Sequence, residues 1–276
     1  MSIALVSLSA EGLNVARRLA PYFCDVEIHV HDSVEGATES HRFSKVADLT
    51  RGLFGRCKGI VYIMPSGVAV RAIVPLVEHK LRDPAVVVVD VLGRWAVSLL
   101  CGHEGGANAL TLQIANLLEA EPVITTTSEA AKNLIVGIGC RRGTPADTIV
   151  AAITEGLVLR GHRPDEVRYL ASADLKADEA GLLEAAERLD IPLRLISGAE
   201  IRASGRMFHS SAFVQDKVAL PAVAEPAALL AGRRTQLILP KTIIKNVTVA
   251  IARENCSWSA SDPATDSTGP AVPSKP

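Results

Sequence analysis

The sequence predicts an α/β protein of two units with mostly parallel aliphatic strands, arranged like a three-layer sandwich. Three observations point there. Aromatic residues make up only 4% of a chain that is 48% apolar, so its cores must be built from Val, Ile, Leu and Ala. Buried parallel strands read as such aliphatic runs. Short apolar runs also alternate with turns and with segments of helical periodicity, which is the βαβα pattern. Finally, this alternation pauses over the polar residues 126–133 and restarts at Leu134. The expected division is therefore a unit at 1–128, a linker at 129–133, a second unit at 134–254 and a tail at 255–276.

In the first unit, residues 3–8 form an apolar run closed by Ser9-Ala10-Glu11-Gly12. Leu13, Ala16, Leu19 and Ala20 then share a helical face. Residues 26–31 alternate as a strand near a sheet edge, with His29 and His31 on one face. A solvated face is the expectation there, because no third metal ligand accompanies the pair. Residues 46–54 read as a helix and 59–64 as a buried strand. Pro65-Ser66-Gly67 is read as a turn, with Ser66 as a cap, before a helix over 68–79. Residues 85–91 contain four successive valines, and Gly93 allows a tight turn into a strand over 96–100, giving a hairpin. Cys101 to Asn108 is a glycine-rich turn that opens a helix through Leu110, Ile114, Leu117 and Leu118. A last short strand covers 122–125.

The second unit opens with a strand over 134–138, the turn Gly139-Cys140-Arg141-Arg142-Gly143-Thr144, and a helix over 145–157. Thr144 suits the N-cap, Pro145 the first helical position and Asp147 a capping-box role. A strand at 167–171 follows, then a turn at 172–176. A helix at 178–189 is expected to turn Leu182, Leu183, Ala186 and Leu189 inward. Further strands are expected at 191–196, 236–240 and 247–252, with a polar loop at 202–217 and a short helix begun by Pro226. The Ser-, Pro- and Thr-rich residues from 257 have the composition of a disordered tail.

The formal net charge is −1, which argues against a broad nucleic-acid surface. Five cysteines, none in a Cys-x-x-Cys pair, suggest neither a disulfide framework nor a zinc site. No apolar run is long enough to span a bilayer, and the first residues lack the pattern of a signal peptide. The expectation is a cytoplasmic protein.

Two turns are candidate sites. The turn at 139–144 offers N–H groups, a helix start, Arg141 and Arg142 to one anion, most naturally a carboxylate or phosphate. Cys140 there should have a lowered pKa if exposed. The turn at 101–108 brings His103 and Glu104 together between glycines, an arrangement suited to proton transfer. Gly-x-Gly-x-x-Gly with a spaced acid is missing, which disfavours a dinucleotide site.

Several ordered stretches carry a family resemblance. They are Tyr62-Ile63-Met64-Pro65-Ser66-Gly67-Val68-Ala69-Val70-Arg71-Ala72-Ile73, the run from Asp83-Pro84 to Asp90, and Ser98-Leu99-Leu100-Cys101-Gly102-His103-Glu104-Gly105-Gly106-Ala107-Asn108. The turn at 137–144, Leu170-Ala171-Ser172 with Lys176 and Asp178-Glu179, and Val223-Ala224-Glu225-Pro226 join them. Over most of residues 1–254 the chain resembles the cobalt-precorrin-5A hydrolases of anaerobic cobalamin biosynthesis. The resemblance implies opening of the substrate's δ-lactone with release of acetaldehyde, giving cobalt-precorrin-5B. Cobalt then arrives with the substrate, and neither a cofactor nor a protein-held metal is expected. His103 and Glu104 become the acid/base candidates. Ser66, Gly67, Arg71, Gly105, Gly106, Asn108, Gly139, Cys140, Arg141, Arg142, Gly143, Thr144 and Lys176 become substrate-binding candidates. The partner expected is the tetrapyrrole, with no nucleic acid or membrane; neighbouring pathway enzymes and a second copy of the chain stay open. A non-enzymatic carrier is the competing reading, since the second unit also resembles a free-standing cobalamin-pathway protein. Two departures stand out: only 126–133 remains of a middle segment common in the family, and Cys101 replaces the usual serine.

Overall fold

The computed structural model describes residues 2–38, 40–204 and 223–255. All of the expected tail after Asn255, Cys256 included, and nearly all of the expected polar loop lie outside the described residues. The first sheet is built from β1 (Ser2–Ser7), α1 (Ala10–Leu19), β2 (Asp25–His31), β3 (His41–Phe43), α2 (Val46–Phe54) and β4 (Gly59–Ile63). It continues with α3 (Ser66–Ile73), β5 (Ala85–Val89), β6 (Trp95–Leu100), α4 (Ala107–Leu118) and β7 (Glu121–Val123). The strand order is β3-β2-β1-β4-β5-β6-β7, parallel except where β6 meets β5. Helices α1 and α4 bury Val15, Leu19, Leu110 and Ile114 against one face. Helices α2 and α3 bury Leu53, Phe54, Ala69 and Ile73 against the other.

After α5 (Thr127–Ala130), the second sheet uses β8 (Leu134–Gly139), α6 (Ala146–Val158), β9 (Val167–Ala173), α7 (Ala180–Leu189) and β10 (Leu193–Ile196). Then come α8 (Gly198–Ala203), α9 (Ala224–Leu230), β11 (Thr235–Ile244) and β12 (Val247–Glu254). Its order is β10-β9-β8-β12-β11, with β12 antiparallel to both neighbours. Two mostly parallel sheets flanked by helices are the α/β architecture read from the aliphatic runs.

Several local expectations change for identifiable reasons. Helix α3 begins at Ser66 with Pro65 as its N-cap residue, so Ser66 is not the cap. It ends at Ile73, because Pro75 has no N–H for the next turn and the chain tightens into a 3₁₀ turn at Val74–Leu76. The polar linker contains a helical turn, α5. His29 is buried rather than solvated: it stacks on His41 with ring centroids 5.1 Å apart and bonds Glu27 at 3.0 Å. Leu183 faces solvent, while Leu182 and Ala185 turn inward. Thr144 does not cap α6; its hydroxyl donates to the Arg141 carbonyl at 2.7 Å, and Pro145 takes the N-cap position.

Strand β11 runs on through Pro240 instead of stopping there. It is an edge strand, so the missing donor costs no ladder bond. The Lys241 amide leaves the irregular stretch and donates to buried Glu225 at 2.7 Å. The hairpin then closes at Lys245 and Asn246, both with positive φ (50° and 65°), as a two-residue turn matching strand twist requires.

The two sheets meet along α4. Asn116 donates to the Leu193 carbonyl at 2.8 Å and accepts from the Leu195 amide at 3.0 Å. Buried Arg194 donates to Asn116 at 3.1 Å and to the Ala120 carbonyl at 2.7 Å. Leu112 also packs into the core formed with Ile196, Ile201 and Ala224.

Candidate functional site

The glycine turn after β6 is held by close packing and by an anchored side chain. Gly102 and Gly105 are required by crowding. A Cβ on Gly102 would sit 2.6 Å from Thr126 Oγ1, and one on Gly105 would sit 2.3 Å from Cys101 Cβ. Cys101 adopts a left-handed φ of 58°. The Asn108 side chain ties this turn to its surroundings: it accepts from Ser98 Oγ at 2.8 Å and donates to Thr126 Oγ1 at 3.0 Å. His103 and Glu104 are both exposed at the apex. Lys80 pairs with Glu104 and holds its carboxyl below the usual range. Glu104 is therefore a carboxylate at neutral pH, able to accept a proton or orient a donor. Burial first, then Asp83 and Glu104, push the Cys101 thiol up.

His103 opens onto a cavity of about 580 Å³ between the two sheets. Gly102, Asn108 and Leu112 form the wall from the first sheet's side, and Glu129 and Lys132 close it from the linker. Tyr169, Arg168 and Leu193 face them from the second. Arg168 is bound to buried Glu254, and Lys132 to Glu129 at 3.2 Å, so the cationic heads in the wall are internally paired.

The expected residues fall in three places. Register explains why. Strand β6 runs antiparallel, Leu100 pairs with Val86, and the His103 turn opens at the amino edge of the parallel strands. Ser66 and Gly67 follow β4 at the carboxyl edge, where Ile63 pairs with Val89. The five residues of β5 separate the two edges, roughly 16 Å. Gly139, Cys140, Arg141, Arg142, Gly143, Thr144 and Lys176 gather beyond the carboxyl ends of β8 and β9. The cavity is lined instead by the amino ends of β9 and β10. The seven residues of β9 put about 20 Å between them. His103 and Arg141 do not share a cleft.

The second turn is also less open than its sequence suggests. The Gly143 amide donates to Glu179 Oε1 at 2.8 Å, and Arg142 pairs with Asp178 at 3.1 Å. Lys176 lies 3.5 Å from the same Glu179. Arg141 and Arg142 are both exposed at this edge, and Arg142 is paired with Asp178. Burial pushes the half-buried Cys140 thiol up, Lys176 offsets this only in part, and the expected activation does not hold. Arg71 turns back to donate to the Gly67 carbonyl at 3.0 Å.

Ser98, Thr126, Lys80 and Glu179 shape these turns and were not legible as site residues. Ser98 and Glu179 lie inside the stretches that carry the family resemblance without any spacing that marks them as anchors, while Lys80 is far in sequence from Glu104 and Thr126 lies in a segment whose composition reads as linker. Among the described residues no group of three or more His, Cys, Asp or Glu could hold a metal ion. No described helix is long and apolar enough to cross a membrane.

These features define an α/β protein of two packed sheets with a ligand-sized cavity at their junction. Two family profiles match it: Cobalamin synthesis G N-terminal over residues 48–129 and Cobalamin synthesis G C-terminus over residues 134–252. The chain belongs to the cobalamin synthesis G family. A Salmonella typhimurium protein named cobalt-precorrin-5A hydrolase is 26% identical over 324 residues, covering 83% of this chain and 91% of the relative. That alignment is longer than the chain itself, so the relative carries residues with no counterpart here. A cobalt-precorrin-5A hydrolase of Priestia megaterium is 38% identical over 144 residues, 50% of this chain and 38% of the relative. Protein CobE of Sinorhizobium sp is 34% identical over 128 residues, 46% of this chain and 83% of that protein.

Proposed function

We propose that the protein is a hydrolase that opens the δ-lactone of cobalt-precorrin-5A, releasing acetaldehyde and leaving cobalt-precorrin-5B. The observation that carries this reading is the alignment to a relative of that name across 91% of the relative's length. The His103 turn supplies chemistry that suits it. Water must lose a proton as it attacks the lactone carbonyl, and negative charge builds on the carbonyl oxygen. His103 takes the proton, and Glu104, kept ionised by Lys80, orients the exposed imidazole or the water beside it. The amides of Gly105 and Gly106 in this turn are the donors for the developing oxyanion. Ser66 and Gly67 are too distant for that role.

The cavity is in the size range of a single drug-like ligand. It suits one edge of the macrocycle rather than four pyrrole-derived rings with their acid arms. The turn around Arg141, about 20 Å away at the other end of β9, does not hold that edge. The test is to incubate purified protein with cobalt-precorrin-5A and trap acetaldehyde. Wild type should release it and His103→Ala should not, with folding checked by circular dichroism. Tight binding by wild type without acetaldehyde would return the carrier reading.

A further inference from the structure

An apolar surface runs from α3 to the glycine turn without cover among the described residues. Val70 is 38% exposed, Val74 63%, Val77 44% and Leu81 66%. Val70 lies on α3, Val74 in the 3₁₀ turn that follows it, and Val77 and Leu81 in the chain beyond. In a helix packed on a sheet, the outer face is ordinarily polar. Nearby, Val97 and Leu99 of β6 are only half-buried, and Leu76, between Val74 and Val77, packs into the same cluster. The stripe is thus continuous with a part of the sheet that α2 and α3 leave open.

Its rim carries more cations than anions. Arg71, Lys80 and Arg82 are all exposed along it, against Glu78 and the already paired Glu104. Lys80 joins the stripe directly to the residue next to His103. An apolar surface edged by cations complements a flat apolar ring carrying carboxylate arms.

We propose that this stripe is the platform for the apolar face of the polycarboxylate macrocycle. The exposed Arg71 and Arg82 take its acid arms, and its reacting edge reaches the His103 turn through Lys80 and Glu104. The proposal rests on the hydrolase reading for the identity of the ligand, and it adds where most of that ligand lies.

The test uses Val74→Asp/Val77→Asp, two side chains exposed enough to change without touching the core. The probe is cobalt uroporphyrin, a tetrapyrrole with acetate and propionate arms and no lactone, titrated by absorbance. Wild type should bind it, and the double variant should bind at least about tenfold more weakly. With cobalt-precorrin-5A the variant should show a raised KM and a nearly unchanged kcat. Equal affinity in both proteins, or no binding by wild type, overturns the platform. So does a wild-type dimer that the variant dissociates while its affinity is unchanged, since the stripe is then a contact between copies. Probe binding that depends on Val74 and Val77, with no acetaldehyde released by wild type, would sink the hydrolase reading and leave the platform standing.

Discussion

The Gly143 amide donates to the buried carboxylate of Glu179 at 2.8 Å, so a turn that offers its N–H groups to an anion already holds one inside the protein. Lys176 shares the same carboxylate at 3.5 Å, and Glu179 is only 4% exposed.

Glu179 therefore fixes both the turn and the ammonium beneath it. Glu179→Ala should cost about 3 kcal/mol, because it strands an N–H and a mostly buried cation together. Glu179→Gln, which can still accept the Gly143 N–H, should cost less than half as much. Urea unfolding of the three proteins checks the order. Equal stabilities would mean that the turn holds its shape without this carboxylate.

The contact between the sheets depends on one amide side chain. Asn116 makes three hydrogen bonds to β10, through Leu193, Arg194 and Leu195. Asn116→Ala should lower stability by about 2–3 kcal/mol, since Arg194 stays buried with fewer acceptors. Calorimetry should also show a broader transition as the two sheets lose coupling. A single sharp transition at the wild-type temperature would contradict this.

An ion pair beside the first sheet sets an acid-stability window. The Arg56 hydrogen bond is the main cause that lowers the Glu27 pKa to about 2. Arg56 Nη2 lies 2.8 Å from Glu27 Oε2. A depressed carboxylate pKa contributes stability above the unfolded value, near 4.3, and loses it as pH falls toward the folded value. The pair is half exposed on the arginine side, so its worth is taken as about 1 kcal/mol after screening. Arg56→Met should be less stable than wild type at pH 7, and the two should converge between about pH 4 and 2. A gap that persists at pH 2 would assign the loss to packing of the arginine stem.

Much of the architecture was readable because it follows from local chemistry. Four valines before Asp90 and Gly93 give β5 and its turn, and Asp90 closes that turn by accepting from the Arg94 and Trp95 amides at 2.6 and 2.9 Å. Helix α2 follows its periodicity from Val46 to Phe54. What stayed hidden is non-local. The β5–β6 hairpin was expected from sequence, yet its consequence is geometric: an antiparallel β6 sends His103 to the edge opposite Ser66. Pairing partners such as Thr126 for Asn108 and Glu179 for Gly143 depend on packing between elements that no sequence spacing connects.

The Asn108 network bears on catalysis rather than only on folding. Asn108→Ala breaks the Ser98 and Thr126 bonds and lets the His103 turn shift against the cavity. Acetaldehyde release should fall by about 100-fold in kcat, the scale of an ångström-level misplacement. Asn108→Asp keeps the acceptor for Ser98 and should recover part of the loss. If both variants keep wild-type kcat, the turn does not depend on this anchor and the catalytic assignment weakens.

Cys101 stands where a nucleophile would be well placed, at the end of β6 and two residues before His103. Its surroundings argue the other way. The thiol is buried, its pKa is pushed up by that burial, and Asp83 and Glu104 add negative charge nearby. A thiolate there is disfavoured at neutral pH, and a thiol is a poor nucleophile. The residue's evident task is backbone: its carbonyl accepts from the Ala107 amide at 3.1 Å while φ stays left-handed. Cys101→Ser should thus keep kcat/KM within about threefold, since serine fits the same volume and removes only the sulfur. Alkylation of native protein by iodoacetamide should be slow at this site for the same reason. A loss of several hundredfold in the serine variant, with unchanged stability, would place a covalent thioester step in the reaction and displace water from the first attack on the lactone.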